Sequence, residues 1–278
     1  MGGPSLPLLR PMSIGEIFDR AIAVLLRNYR TFFALSLGAQ LPFAACRYAA
    51  TFSQTANAVA WAYVAGWVAA AVAGMAIALL VSRIVHGDVP DVRAALRGAL
   101  WNLPGAIGIG IAAMLGFLLV GAPALALRAG YLRFGAGPLT TFLTAIDAAV
   151  LVAAALLAYV TYHLAQTALA IEDLGAGEAL AKTIARVAAP GSLKRVAAAS
   201  LAFLVTYAGI VFAWAWTYAG LWNWTHQAAP ALLASTLVAA ALVPVLSVFV
   251  TMFYFDLRIR REAYDLEASL TAMEAAHV

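Results

Sequence analysis

The sequence predicts an all-α integral membrane protein: a bundle of six transmembrane helices with short amphipathic helices before the first, third and fifth. Three observations lead there. Apolar residues make up 64% of the chain and charged residues 11%, against roughly 45–50% and about 25% in soluble domains. So few charges cannot cover a water-soluble fold. The apolar residues are also collected into runs of about 20 or more, the length that crosses a ~30 Å hydrocarbon core. Lysines and arginines sit at the ends of these runs and mostly on one side, a pattern of membrane topology that points away from nucleic acid despite a net charge of +4.

The first element is an amphipathic helix over residues 13–30. Ser13 and Glu16 have capping-box spacing and start it. Glu16, Asp19, Arg20, Arg27 and Arg30 share one face, and Ile14, Ile17, Phe18, Val24 and Leu25 occupy the other. Such a helix lies in the headgroup plane or packs beneath the bundle. Spans follow at about 31–50, 57–82, 104–127, 144–170, 196–219 and 231–255. A charged helix over 256–278 then continues the last span. Prolines 42, 123 and 244 fall within spans, where neighbouring helices satisfy the carbonyls they leave unbonded. No segment alternates as a barrel strand would.

Orientation comes from the basic residues. Arg10, Arg20, Arg27, Arg30, Arg83, Arg93, Arg97, Lys182, Arg186, Lys194, Arg195, Arg258, Arg260 and Arg261 share one side, and only Arg47, Arg128 and Arg133 lie on the other. Both termini are therefore expected in the cytoplasm and the chain in the cell (inner) membrane. Trp61, Trp67, Trp214, Trp216, Trp222 and Trp224 cluster near the outer span ends, as an interfacial belt does. The opening Met1-Gly-Gly-Pro-Ser-Leu6 has neither a signal-peptide pattern nor a myristoylation motif.

Amphipathic segments also precede the third and fifth spans. Asp88 is placed to cap one that carries Val92, Leu96 and Leu100 on one face and Arg93 and Arg97 on another. The other sets Glu178, Lys182 and Arg186 opposite Leu180, Ile184 and Val187. An early acid (Glu16, Asp91, Glu178) recurs at spacings of 75 and 87 residues, which suggests a threefold internal repeat. The competing reading is that any chain of this topology needs basic cytoplasmic linkers.

The opening Leu9-Arg-Pro-Met-Ser-Ile-Gly-Glu-Ile-Phe-Asp-Arg20, the middle Glu172-Asp-Leu-Gly-Ala-Gly-Glu-Ala-Leu180 and the close Tyr254-Phe-Asp-Leu-Arg-Ile-Arg-Arg-Glu-Ala-Tyr-Asp-Leu-Glu267 resemble the family named for the membrane domain of glycerophosphoryl diester phosphodiesterases. The resemblance runs over nearly the whole chain and implies the topology above. It does not imply the activity, because in fused members a separate soluble barrel carries the chemistry. That barrel's His-Arg-Gly and Glu-x-Asp elements are missing here.

Catalytic motifs are sparse. G-x-S-x-G, H-E-x-x-H and the Walker A loop do not occur, nor does the Pro-x-Asp/Glu-x-x-Lys/Arg signature of mitochondrial-type carriers. His86, His163, His226 and His277 lack metal-ligand spacing, and the lone Cys46 excludes an internal disulfide. Asp88-x-x-Asp91 has a Mg²⁺-binding reading, but a cap with a first-turn acid explains it more simply. Neither metal nor cofactor is expected. Gln40, Asp147, His163 and Gln166 are the candidate intramembrane polar site. Arg20, Arg27, Arg93, Arg97, Lys182, Arg186, Asp256, Arg258, Arg260 and Arg261 are candidates for docking a partner or anionic headgroups, with Asp256 and Arg260 at i,i+4 spacing. The reading that follows is a non-enzymatic protein, an accessory subunit of a membrane assembly or an envelope lipid-homeostasis factor. Its partners would be anionic lipid headgroups on the cytoplasmic side, a protein complex or further copies of itself. A small transporter or lipid permease is the alternative, and a membrane-embedded lipid enzyme comes third.

Overall fold

A computed structural model describes residues 10–53, 55–134, 137–189 and 191–262. All its regular structure among these residues is helical: α1 Ile14–Arg27, α2 Tyr29–Ser53, α3 Ala56–His86, α4 Val92–Trp101, α5 Leu103–Phe134, α6 Pro138–Ile171, α7 Ala176–Ala188, α8 Leu193–Thr225 and α9 Ala228–Glu262. The order is short, long, long, three times over. The expected helix over 256–278 lies within α9 up to Glu262, and its remainder lies outside the described residues.

The helix boundaries have local causes. Ser13 Oγ accepts from the Glu16 N–H at 3.2 Å and Glu16 Oε2 accepts from the Ser13 N–H at 2.7 Å, completing the expected capping box. That backbone N–H, then the Ser13 hydroxyl and Arg10, hold the Glu16 carboxyl down to about 2. A carboxyl lowered in this way keeps the cap charged at neutral pH, and the support it gives is lost only as the pH falls through that value. α1 breaks at Asn28, short of the expected Arg30. α3 ends where Gly87 turns left-handed at φ 83°, so that Asp88 N–H reaches Arg83 O at 2.9 Å. The cap of α4 is Asp91, three residues later than the expected Asp88. Its Oδ1 accepts from the Arg93 and Ala94 N–H groups at 2.9 and 3.1 Å, and these bonds, Ala94's foremost, lower its carboxyl pKa.

Among the described residues, α3, α6, α8 and α9 are each long and apolar enough to cross a membrane, and α4 with the first part of α5 meets the same criterion as a pair bent by 53°, either a broken span or a re-entrant loop. The described residues are thus all-helical, with several helices long and apolar enough to span a membrane. The expected crossing at 31–50 corresponds to α2, which carries Gln40, Pro42 and Arg47 along its length and does not reach that hydropathy.

The hairpins α2–α3, α5–α6 and α8–α9 pack most closely. α3, α6 and α9 touch one another at the centre. Each short helix packs on the second long helix of the preceding hairpin: α4 on α3, α7 on α6, and α1 across the bundle on α9. α1 turns Ile17, Ala21, Val24 and Leu25 inward, and the Phe18 ring meets Phe249 at 5.4 Å. Of the two positions open to this helix, the one packed against the bundle is realised. α3 is buried nearly all round from Ala69 to Val81, as a central helix must be.

On α5, Gly105 and Gly110 permit close helix approach, whereas Gly108 faces open space. A Cβ at Gly110 would overlap the Trp67 indole, which itself stacks on Tyr162 at 6.3 Å. Gly110→Val is therefore expected to cost about 1–3 kcal/mol through overpacking. Thermal unfolding of the detergent-purified protein checks this, and Trp67→Leu in the same chain should restore part of the loss. No change in the single variant would refute the close contact.

Candidate functional site

The densest polar construction gathers where α9 ends. Asp256 has no exposed surface. Its Oδ1 accepts from the Met12 N–H at 2.8 Å and its Oδ2 from Arg195 Nε at 2.8 Å. Arg260, one turn on, bonds the same carboxylate at 3.2 Å, so the i,i+4 pair read from the sequence is present. Arg195 and Arg260 both donate to Met12 O, the second at 2.9 Å. The backbone ahead of α1 is thereby tied to α8 and α9.

A second knot adjoins it. Arg186 on α7 is 6% exposed and Glu172, after α6, 8%. Glu172 Oε2 accepts from Arg186 Nη2 at 3.1 Å. Its Oε1 lies 2.8 Å from Nη1, an ion pair without the angle of a hydrogen bond. Arg186 also holds Glu262 Oε1 at 2.5 Å and the Tyr254 hydroxyl at 3.1 Å. Arg258 lies between Glu172 at 3.4 Å and Glu262 at 3.1 Å.

The residues expected to dock partners or headgroups thus divide in two. Arg27, Arg93, Arg97 and Lys182 are exposed and Arg20 is half-buried. Asp256, Arg186 and Arg258 instead point inward, into ion pairs that join neighbouring elements. Arg260 lies on the margin of the first knot, and Arg261 donates to Ser192 Oγ at 2.7 Å. α7 is rotated from its expected face: Arg186 is buried while Ile184 is 50% exposed. On α4, Leu100, expected on the apolar face, is 57% exposed while Ala95 and Ala99 are buried. Arg195, Glu172 and Met12 are members that single-segment reasoning missed, because their partners are distant in sequence.

The candidate intramembrane residues do not meet in one place. Gln40 Nε2 donates to Ser36 Oγ at 3.4 Å within α2. Gln166 Nε2 donates to the Tyr162 hydroxyl at 2.5 Å, within α6. The His163 ring packs against Tyr159, Tyr162 and Phe203 at 4.5, 5.0 and 5.6 Å. Asp147 is buried in the opposite half of α6, sixteen residues or roughly 24 Å from His163 along the axis. Beside Tyr162 lies a cavity of about 290 Å³ between α3, α5 and α6, walled by Trp67, Met114, Phe117 and Tyr159. Among the described residues no three His, Cys, Asp or Glu side chains converge as metal ligands would.

At the other end of the bundle Arg47 stands among aromatic rings. Its guanidinium lies 4.4 Å from the Trp214 ring, 5.7 Å from Phe43 and 5.8 Å from Tyr218. A cavity of about 300 Å³ opens beside it, lined also by Ala50, Thr51, Ala62 and Tyr63. No family model, no curated protein and no solved structure matches this chain.

Proposed function

We propose that the chain is a non-enzymatic multi-pass protein of the cytoplasmic (inner) membrane, acting as an accessory subunit of a membrane assembly or in envelope lipid homeostasis. The observation that carries this reading is how its polar groups are used. Gln166 is bonded to Tyr162, Gln40 to Ser36, Asp256 to Arg195 and Arg260, and Arg186 to Glu172 and Glu262. A solute pathway needs polar groups turned toward a cavity at mid-membrane, whereas the cavity beside Tyr162 is walled by rings and methyl groups. The likeness to the phosphodiesterase membrane-domain family rests on the sequence patterns quoted above and favours the same class.

Six crossings in three units, with both termini cytoplasmic, belong to this proposal. Its supports are the short-long-long order repeated three times, the cyclic packing of each short helix on the preceding hairpin and the fourteen-to-three division of basic residues. α2, of 25 residues, is roughly 37 Å long, which suffices for the sixth crossing.

Transport, the second reading, would draw on His163 and Gln166. In a strain lacking the protein, His163→Leu and Gln166→Leu are each expected to complement at normal membrane abundance: Gln166 gives up one neutral hydrogen bond, about 1 kcal/mol, and His163 exchanges ring packing for an apolar side chain. Abolished complementation at unchanged abundance would put the transporter reading in place of this one.

A further inference from the structure

We infer that the Arg47 cage is a binding site for the anionic phosphate headgroup of a membrane lipid. Arg47 is half-buried on α2, with the Trp214 ring of α8 over its guanidinium at 4.4 Å. Trp214 lies nineteen residues beyond Arg195, roughly 28 Å along α8, so the cage sits at the end of the bundle away from the Asp256 knot. Among the described residues no carboxylate pairs with Arg47, whereas Arg186, Arg195, Arg258 and Arg260 all have one. A cation in such apolar surroundings is costly without a counter-charge.

The cage leaves a defined place for that counter-charge. A ring over the guanidinium occupies its face and leaves the N–H edges, which match the oxygens of a phosphate in bidentate fashion. Thr51 lines the 300 Å³ cavity beside Arg47. It also lines a second cleft of about 410 Å³ with Tyr48, Tyr218, Trp222, His226 and Gln227. The two clefts meet at Thr51, giving a headgroup room with polar groups on one side and rings on the other.

The surroundings select a lipid over a soluble anion. Phe43, Ala50, Ala62 and Trp214 supply the walls of the first cavity. Trp61, Tyr63 and Trp216 are 69%, 76% and 71% exposed nearby in the chain, so α3 and α8 present a broad apolar surface. An acyl chain attached to the bound phosphate continues over that surface, whereas a free phosphate gains nothing from it. Under the orientation proposed above the lipid belongs to the outer leaflet.

The test uses the full chain in mixed micelles, with energy transfer from its tryptophans to a pyrene-labelled phosphatidylglycerol. Unlabelled dioleoyl-phosphatidylglycerol should displace the probe at a concentration at least tenfold below that of dioleoyl-phosphatidylcholine. Arg47→Gln should weaken probe binding tenfold or more, about 1.4 kcal/mol, and Arg47→Lys should fall between. Equal displacement by the two lipids overturns the site, and that comparison needs no variant. Displacement by glycerol phosphate as effective as that by phosphatidylglycerol overturns the lipid assignment in favour of a soluble anion. Unaltered binding in a folded Arg47→Gln overturns the role of the cage. If that variant does not fold, Thr51→Val takes its place, and unaltered binding there has the same consequence. The proposal rests on the reading of the chain as a lipid-associated protein but fails separately from it. Absent lipid selectivity removes the site and leaves that reading, whereas lost complementation in the His163 and Gln166 variants removes the reading and leaves the site.

Discussion

Asp256→Ala is expected to strip most of the folded protein from the membrane. The carboxylate has no exposed surface and serves three donors: the Met12 N–H, Arg195 and Arg260. Its removal leaves the Met12 amide without its acceptor and Arg195, 20% exposed, without its counter-charge. Breaking a buried pair from one side costs about 3–5 kcal/mol, a large part of the 5–15 kcal/mol that typically separates folded from unfolded domains. Fluorescence-detected size exclusion of the solubilised membrane measures the folded fraction, and thermal unfolding measures the loss. Arg195→Ala alone should be costly too. The double variant should cost less than the sum, because each single change strands the other partner. Strict additivity would show that the two side chains do not act as a pair.

Arg186→Leu is the second large effect. The guanidinium is the common partner of Glu172, Glu262 and the Tyr254 hydroxyl, and it joins α7 to α9 and to the end of α6. Without it, Glu172, itself 8% exposed, is left with Arg258 at 3.4 Å and the half-exposed Lys182 at 3.9 Å. A loss of about 3–5 kcal/mol follows for the same reason as at Asp256. Lys182→Leu is the control. Lys182 is on the same helix and also faces Glu172, but its closer partner is the exposed Glu178 at 3.2 Å, and exposed pairs of this kind contribute about 0–1 kcal/mol. Equal melting behaviour in the two variants would mean that burial does not set the difference.

The two knots also show what could be read in the sequence and what could not. Local features were legible: the Ser13–Glu16 capping box, the Asp256–Arg260 turn and the long apolar helices all depend on residues a few positions apart. The inward faces were not. Sequence patterning assigns the apolar side of a helix to the interior because it assumes water outside. On a chain with lipid around much of it, that assumption fails. Ile184 is half-exposed on α7 while Arg186 turns inward to find two carboxylates. α5 and α6 are apolar along nearly their whole described length, so no periodicity marks which stripe meets a neighbour. Arg195 and Met12 were invisible for another reason. They lie 61 and 244 residues from Asp256, and only the packing of α8 and of α1 against α9 brings them to it. The Arg47 cage was equally hidden: the residue registers in the sequence only as one of three basic exceptions to the charge bias, and its rings come from three separate turns of two helices.

That the first helix packs on the last has a consequence for how the protein is made. While the ribosome is still adding α8 and α9, α1 has already left the exit tunnel, with Ile17, Phe18, Val24 and Leu25 turned toward a neighbour that does not yet exist. The nascent bundle therefore carries an apolar helix and an unmatched Met12 N–H through most of its synthesis, and these are satisfied only when Phe249 and Asp256 arrive. A chain cut short before α9 lacks more than its last crossing, since its first helix then has no seat.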